Sequence, residues 1–265
     1  GGPRLDVRAA VEGVEAAAVP RYVPAGVTPP EVRRWLGTAL QGGRVARADL
    51  LFHGDPADFP FDGQEGVFAV DAAVRGGVLR YAPGWPAITG IDAALRFRGA
   101  RLAIDGAGRT AGVALRGVEV TIADLRRPRL AVAGQARGDA GDALGFLAGS
   151  PLGRGWLGEA VPVEAAGPVR VGLDLALPLA PQAGGPPQVE GRVALSGVTA
   201  ALPPWLRLGA LSGSLAFDEA GIHHGRLSAR WGGEPASLTV ETERVAGRRR
   251  IVLEGRGRPA TRSVS

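Results

Sequence analysis

The sequence predicts a mainly β fold made of many short antiparallel strands, and three observations lead there. Apolar residues alternate with polar ones in run after run, the period of two expected of a sheet with one apolar and one wet face. In a chain of 265 residues, 42 Gly and 21 Pro punctuate those runs at turn spacing. The chain also repeats itself: "GVLRYAPGWPAITGIDAALRF" (Gly77 to Phe97) returns in diluted form as "GVTAALPPWLRLGALSGSLAF" (Gly197 to Phe217). Val78 falls on Val198, Trp85 on Trp205, Leu95 on Leu215 and Phe97 on Phe217. Matched positions keep apolar size and a Pro-x-Trp corner but share no acid, base or nucleophile. What is duplicated is architecture rather than an active site.

Taken in order, residues 1–23 read as a leading strand region. "TPPEVRRWLGTALQGG" predicts a short helix with Thr28 as N-cap, prolines in its first turn and a Gly pair as its stop. Val32, Trp35, Leu36 and Leu40 would form its apolar stripe. Strands follow. "VFAVDAAV" puts Phe68, Val70, Ala72 and Val74 on one side, and "IDAALRF" puts Ile91, Ala93, Leu95 and Phe97 against Asp92, Ala94 and Arg96. "GVEVTI" adds Val118 and Val120. "GDALGFLAGSPLGRGWLGEA" predicts a second short helix, interrupted by Pro151, in which Trp156, Leu157 and Gly158 repeat Trp35, Leu36 and Gly37. "VRVGLDLAL" sets Val169, Val171, Leu173 and Leu175 against Arg170, Gly172 and Asp174. "LPLAPQAGGPPQ" (Leu177 to Gln188) is a loop. Val193, Leu195, Leu215, Phe217, Leu238 and Val240 complete the alternating set. The organisation is thus a repeat unit over 24–137, a second over 138–244, and an Arg-rich tail over 245–265 that holds a last strand before it frays.

Composition excludes several function classes. Cys is absent, which removes disulfides and thiolate chemistry while leaving the compartment open. No apolar run approaches the ~20 residues of a membrane span. The chain begins Gly-Gly-Pro and holds no Met, so it reads as a piece of something longer, with any anchor outside it. The net charge is +5, but the basic excess sits in "RVAGRRRIVLEGRGRPATRSVS", and residues 1–243 are nearly neutral. All 31 basic residues are Arg, a coding bias rather than a phosphate-binding surface, so no nucleic-acid partner is expected. A polyanion-binding module acting through the terminal arginines remains a minor alternative.

Candidate chemistry is sparse. His53, His223 and His224 do not converge in a metal-ligand pattern, and adjacent strand residues point to opposite faces. "GDPADFPFD" supplies Asp55, Asp58 and Asp62 but lacks the Gly and Glu of a calcium loop, so these acids read as turn formers. "GAGRTAG" (Gly106 to Gly112) has the wrong spacing for a phosphate loop and reads as a β-turn. Ser150 has no nucleophile-elbow context. No enzyme, cofactor or metal is expected. Phe59 and Phe61 around Pro60 read as anchors of a loop under the first helix, or else as a docking patch. Trp35, Trp85, Trp156 and Trp205 read as bridges from helix or turn to the outside of the sheet.

About a dozen strands would each expose an apolar face, with two short helices to cover them. Apolar surface left in water costs about 25 cal/mol per Å². Either a second sheet closes on the first, giving a solid sandwich that binds protein partners at its edges, or the sheet curls into a gutter whose inner face meets acyl chains. Pattern alone favours the sandwich. Low aromatic content (5%) and the absence of Met favour the smoother-walled gutter.

One set of words settles the expectation. Tyr22, Val23 and Pro24 precede Trp35-Leu36, then Gly54-Asp55, Phe59-Pro60-Phe61, Gly66-x-Phe68, and Tyr81 before Trp85-Pro86. In this order and spacing the chain resembles the bacterial YhdP family of the AsmA-like superfamily, to which TamB also belongs. Val23 replaces the family's usual Leu, and Trp205 is followed by Leu206 rather than Pro. The resemblance implies an elongated, twisted antiparallel sheet of repeated β units, curled into an apolar trough. It implies a segment of a periplasmic protein of Gram-negative bacteria, anchored in the inner membrane by a helix outside this chain, that carries phospholipid toward the outer membrane. Phospholipid acyl chains would be the partners, together with envelope proteins. The trough lining would be Phe68, Val70, Val74, Ile91, Leu95, Phe97, Val118, Val120, Val169, Val171, Leu173, Leu175, Val193, Leu195, Leu215, Phe217, Leu238 and Val240, with Trp35, Phe59, Pro60, Phe61, Trp85, Pro86, Trp156 and Trp205 as structural motif. Replacing Leu95 or Leu173 with Glu is expected to block lipid passage and leave the sheet folded.

Overall fold

The computed structural model describes residues 4–23, 26, 28–61, 65–151, 164–202, 206–245 and 248–257. Strands dominate: β1 (Leu5–Glu15), β2 (Leu40–Gly54), β3 (Val67–Leu79), β4 (Ile88–Arg98), β5 (Arg101–Thr110), β6 (Val113–Ile122) and β7 (Arg129–Asp139) come first. Then come β8 (Glu164–Ala166), β9 (Pro168–Pro178), β10 (Gln188–Leu202), β11 (Leu206–Asp218), β12 (Gly221–Trp231), β13 (Glu234–Val245) and β14 (Arg248–Gly257). The α-helices α1 (Pro30–Ala39) and α2 (Ala140–Ala148) precede β2 and β8. Hydrogen bonding follows chain order, except that β8 sits beside β10, and the order does not close on itself. The fold is mainly β, antiparallel and open.

The chain divides into two compact units. The first holds residues 1–110, 115–134 and 175–187, and the second holds 111–114, 135–174 and 188–265. In the first unit, β1 to β5 pair antiparallel in succession. In the second, β10 pairs with β8 and β11, and β11 to β14 continue in succession. Directly opposed residues of such pairs share a face, so the register states which side chains line one surface.

α1 differs from expectation at both ends. Pro29, not Thr28, occupies the N-cap, and no side chain caps the helix. Pro30 at the first helical position has no amide to satisfy, so the start tolerates this. The helix stops at Ala39, before the Gly pair, and Gly42 and Gly43 belong to β2. Gly43 has φ +93°, and a Cβ there would lie 2.5 Å from the Gly77 Cα on β3. The glycines therefore serve the close crossing of two backbones rather than a helix stop. Val32 and Trp35, expected in the apolar stripe, are exposed, and the helix buries Ala39 instead. α2 is capped by Asp139, whose carboxylate accepts from the Gly141 amide at 2.8 Å. "GAGRTAG" turns only at its end: Gly106 to Thr110 belong to β5, and Ala111 and Gly112 make the turn at φ 44° and 85°.

Candidate functional site

The first unit presents one apolar face. Register aligns four cross-strand rows on it: Val7, Phe52 and Phe68; Ala9, Leu50, Val70, Phe97 and Leu102; Val11, Ala48, Ala72, Leu95 and Ile104; and Val45, Val74, Ala93 and Gly106. Ile91 opposes Gly77 and continues this face toward the α1 end. The side chains of β2 to β5 here are mostly half-buried, and Val7 and Val11 on β1 are exposed. The rows between the panel's two ends keep part of their side-chain surface exposed. By strand geometry the panel runs roughly 20 Å along β3 and roughly 19 Å across five strands.

The opposite face of the same strands is charged. Arg47 pairs with Asp49 (2.7 Å) and Glu12 (3.2 Å), Arg98 with Asp71 (2.8 Å), Arg75 with Asp92 (3.8 Å), and Arg96 with Asp105. Hydrogen bonding from Arg47 holds the Asp49 carboxyl below the usual carboxylate range and Asp49 in turn raises Arg47. These pairs are exposed, so they contribute little to stability. They keep one face wet and thereby fix which side of the strands carries the apolar rows.

Each end of the apolar panel carries aromatic rings. At one end the loop after β2 folds back so that Phe59 and Phe61 meet Phe52 and Phe68. Ring centroids are 5.1 Å apart for Phe59–Phe68, 5.3 Å for Phe52–Phe61 and 6.3 Å for Phe59–Phe61. Phe97 joins through Phe68 at 5.9 Å. Asp55 opens this loop by accepting from the Ala57 amide at 3.0 Å, and the Phe59–Pro60 bond is cis. The loop therefore does not sit under α1, as the sequence suggested. α1 precedes Leu40, and Phe52 lies at the far end of β2. At the α1 end, Trp35 Nε1 donates to the Tyr81 carbonyl at 2.9 Å, and the Tyr81 and Trp85 rings are 5.8 Å apart. Burial pushes the Tyr81 phenol up to about 12. Trp35 bridges helix to turn; Pro86 lies half-buried in that turn.

The second unit also gathers its apolar residues on one face, with a different outcome. Val193 opposes Leu215, Leu215 opposes Gly225, and Gly225 opposes Val240. Leu195 lines up with Gly213, Leu227 and Leu238, and Phe217 opposes Gly191. Val198 (2% exposed), Leu208, Leu211, Leu227, Ala229, Leu238 and Val240 form a packed cluster with Ala140 at the start of α2. A Cβ at Gly191 would collide with the Phe217 ring, and one at Gly225 with Leu215. Large side chains thus lie flat across glycines on the neighbouring strand, which smooths the surface.

Of the lining residues expected from sequence, Phe68, Val70, Val74, Ile91, Leu95 and Phe97 share the first unit's face, and Val193, Leu195, Leu215, Phe217, Leu238 and Val240 share the second unit's. Val118 and Val120 alternate along β6; Val169, Val171, Leu173 and Leu175 alternate along β9, with Val169 buried. Trp156 and Trp205 lie outside the described residues, as do Pro24 and Asp62. Sequence reading missed Val7, Leu50, Phe52, Leu102 and Ile104 in one unit and Leu208, Leu211 and Leu227 in the other. Their signal was present: "LDVRAAV", "RADLLFH", "RLAIDG" and "GRLSAR" all carry the period of two.

Reactive groups have local duties. Ser150 is fully buried and its hydroxyl donates to the Leu147 carbonyl at 2.8 Å. His53 faces Asp6 at 3.6 Å, His223 faces Asp218 at 2.6 Å and His224 faces Glu241 at 3.9 Å. Burial works against the charge on Asp218. The amides of Ala220 and Gly221 and the His223 ring outweigh it and hold that carboxyl low.

Comparison with known proteins adds identity to this geometry. No solved structure matches the chain. The intermembrane phospholipid transporter YhdP of Escherichia coli (strain K12) is 26% identical over 268 residues, covering 99% of this chain and 21% of that relative. The chain therefore spans about a fifth of the relative's length. The family model described as YhdP protein matches residues 1–263, and the chain belongs to that family.

Proposed function

We propose that this chain is a non-enzymatic segment of a phospholipid-transport protein of the cell envelope, and that its apolar faces receive acyl chains. The observation that carries the reading is the first unit's panel, four rows of aliphatic and phenyl side chains left half-buried where a storage-free structural domain would cover them. Burial of hydrocarbon gains roughly 0.8 kcal/mol per methylene, so an acyl chain laid on such rows is held by many small contacts and by no single residue. That suits passage, because no position binds tightly enough to trap the lipid. The charged opposite face keeps the sheet wet on its outer side. The relative's printed function and the family membership support the same reading. A periplasmic location, a route between inner and outer membranes and an inner-membrane anchor outside this chain belong to the proposal, as does a trough formed by the curled sheet.

A second reading rests on the packed cluster of the second unit. Leu238 and Val240, expected to line a groove, are 6% and 7% exposed and belong to a protein-filled core. This favours a scaffolding duty for that part of β12 and β13, with lipid contact confined to Val193, Leu195, Leu215 and Phe217.

Native mass spectrometry of the chain purified under mild conditions tests the proposal. Bound phospholipid that is lost on Leu95→Glu, with the circular dichroism of the sheet retained, is the expected result. Lipid-free protein, or binding indifferent to that charge, overturns it.

A further inference from the structure

Phe59 and Phe61 are two residues apart in one loop, yet they are held very differently. Phe61 is 6% exposed. Its ring fills space that two glycines leave free, and a third glycine faces its backbone. A Cβ at Gly54 would lie 2.7 Å from it and one at Gly66 2.5 Å, while one at Gly99 would meet the Phe61 carbonyl oxygen at 2.8 Å. Gly54, Gly66 and Gly99 come from the end of β2, the approach to β3 and the β4–β5 turn. Phe61 is pinned from three sides by backbone.

No described glycine has Phe59 among the nearest neighbours of its Cβ position. Phe59 is half-buried, and its ring lies edge-on to Phe68 at 5.1 Å, stacked with Phe52 at 6.5 Å and edge-on to Phe61 at 6.3 Å. Phe52 and Phe68 oppose each other across β2 and β3 and form the end row of the apolar panel. Phe59 therefore lays a ring of its own against the end row, where the proposed reading puts an acyl chain on the other rows.

We infer that Phe59 is a displaceable cover, hinged on the anchored Phe61, and that the Phe52–Phe68 row beneath it is a further acyl-chain site that opens when Phe59 moves aside. The inference rests on the reading that the apolar panel receives acyl chains, and it adds where that panel ends and which side chain sets the end. Stacked phenyl rings suit a cover of this kind. Edge-to-face contacts are directional enough to seat it but far weaker than burial in a closed notch. A passing chain then meets a surface of similar polarity with Phe59 in or out, so only its reach along the strands changes.

The test uses the chain with phosphatidylglycerol vesicles whose lipid carries a diazirine in the acyl chain. Photolysis is followed by peptide mapping, comparing wild type with Phe59→Ala and Phe59→Leu. Adducts on the Leu95 peptide report the panel, and adducts on Phe52 and Phe68 report the covered row. A cover in place nine-tenths of the time holds apparent occupancy about tenfold down. F59A should therefore raise Phe52 and Phe68 labelling several-fold relative to Leu95, with F59L between it and wild type. Equal labelling of Phe52 and Phe68 in all three proteins overturns the cover while leaving the acyl-chain reading intact. Absence of adducts at Leu95 in every protein overturns both. Retained Leu95 labelling in F59A shows that the variant is folded.

Discussion

The two units write the same alternation and reach different ends. On β3 and β4 Val70, Ala72, Leu95 and Phe97 stay half-buried, as do the repeat counterparts Leu215 and Phe217 on β11, whereas further along the second unit's face, on β12 and β13, Leu227, Ala229, Leu238 and Val240 are 6–8% exposed. Both sets face the apolar side by register. A period of two therefore states which side of a strand is apolar and nothing about whether protein covers it. In the second unit the covering is internal: leucines and Phe217 spread across Gly191, Gly213 and Gly225, and Ala140 closes the cluster from α2. In the first unit the register puts small residues, Ala72, Ala93 and Gly106, on the apolar face. The β12–β13 part of the second unit's face is packed into a core, while the first unit's face stays half-buried.

The largest test of that contrast is truncation. Leu227→Ala or Leu238→Ala removes packed methyls and leaves a cavity, with an expected loss of about 3 kcal/mol. Leu95→Ala removes a half-hydrated side chain and should cost about 1 kcal/mol, since only part of its transfer energy was gained on folding. Denaturant midpoints of the three variants measure this directly. Equal losses would mean that the first unit's face is as packed as the second's, and the reading of an open panel would fall with it.

Backbone proximity sharpens the comparison next. Gly43→Ala forces a Cβ against the Gly77 backbone at a residue with φ +93°, and about 2–3 kcal/mol should be lost. Gly172 on β9 has open space around it and no positive φ. There, Ala should be neutral or stabilise by up to about 0.5–1 kcal/mol. Thermal melts of both variants decide the matter. A tolerated Gly43→Ala would show that the β2–β3 crossing is loose.

Most strands were legible in the sequence because side-chain alternation is a local property. The β-rich class, the antiparallel pairing of chain neighbours and the faces of β3, β4, β10, β11 and β13 all follow from it. What stayed hidden was set by contacts distant along the chain. Gly42 and Gly43 look like a helix stop, yet they answer to Gly77 more than thirty residues away. The Phe-Pro-Phe loop looks like a prop for α1 because α1 precedes it, yet the length of β2 carries it to the far end. The burial of Leu238 and Val240 depends on Leu227, Val198 and Ala140, none of them a chain neighbour. The turn-forming role of Asp55 was legible too, since its carboxylate accepts from the Ala57 amide, whereas the acids that His53 and His224 face lie on neighbouring strands.

The smallest expected effect separates the two helices. α1 has no side-chain cap, while the Asp139 carboxylate accepts at the start of α2 from the Gly167 amide at 2.7 Å and the Gly141 amide at 2.8 Å. The Gly167 bond first, then the Gly141 bond, hold this carboxyl below its ordinary value of 3.8, against a small opposing effect of burial. A carboxyl depressed in the folded state stabilises the fold above its unfolded pKa and loses that contribution as pH falls through the folded value. Asp139→Asn keeps one acceptor oxygen but loses the charge and the second acceptor. Wild type should therefore melt higher than D139N at pH 6, and the gap should narrow once the pH drops below about 4. Because Asp139 ties α2 to the β8–β9 turn, the loss should appear as faster amide exchange at Gly141 and Gly167 while the β3–β4 amides of the first unit keep their rates. A gap constant from pH 6 to 3 would assign the effect to shape rather than charge. Equal acceleration in β3 and β4 would show that the two units do not hold their stability separately.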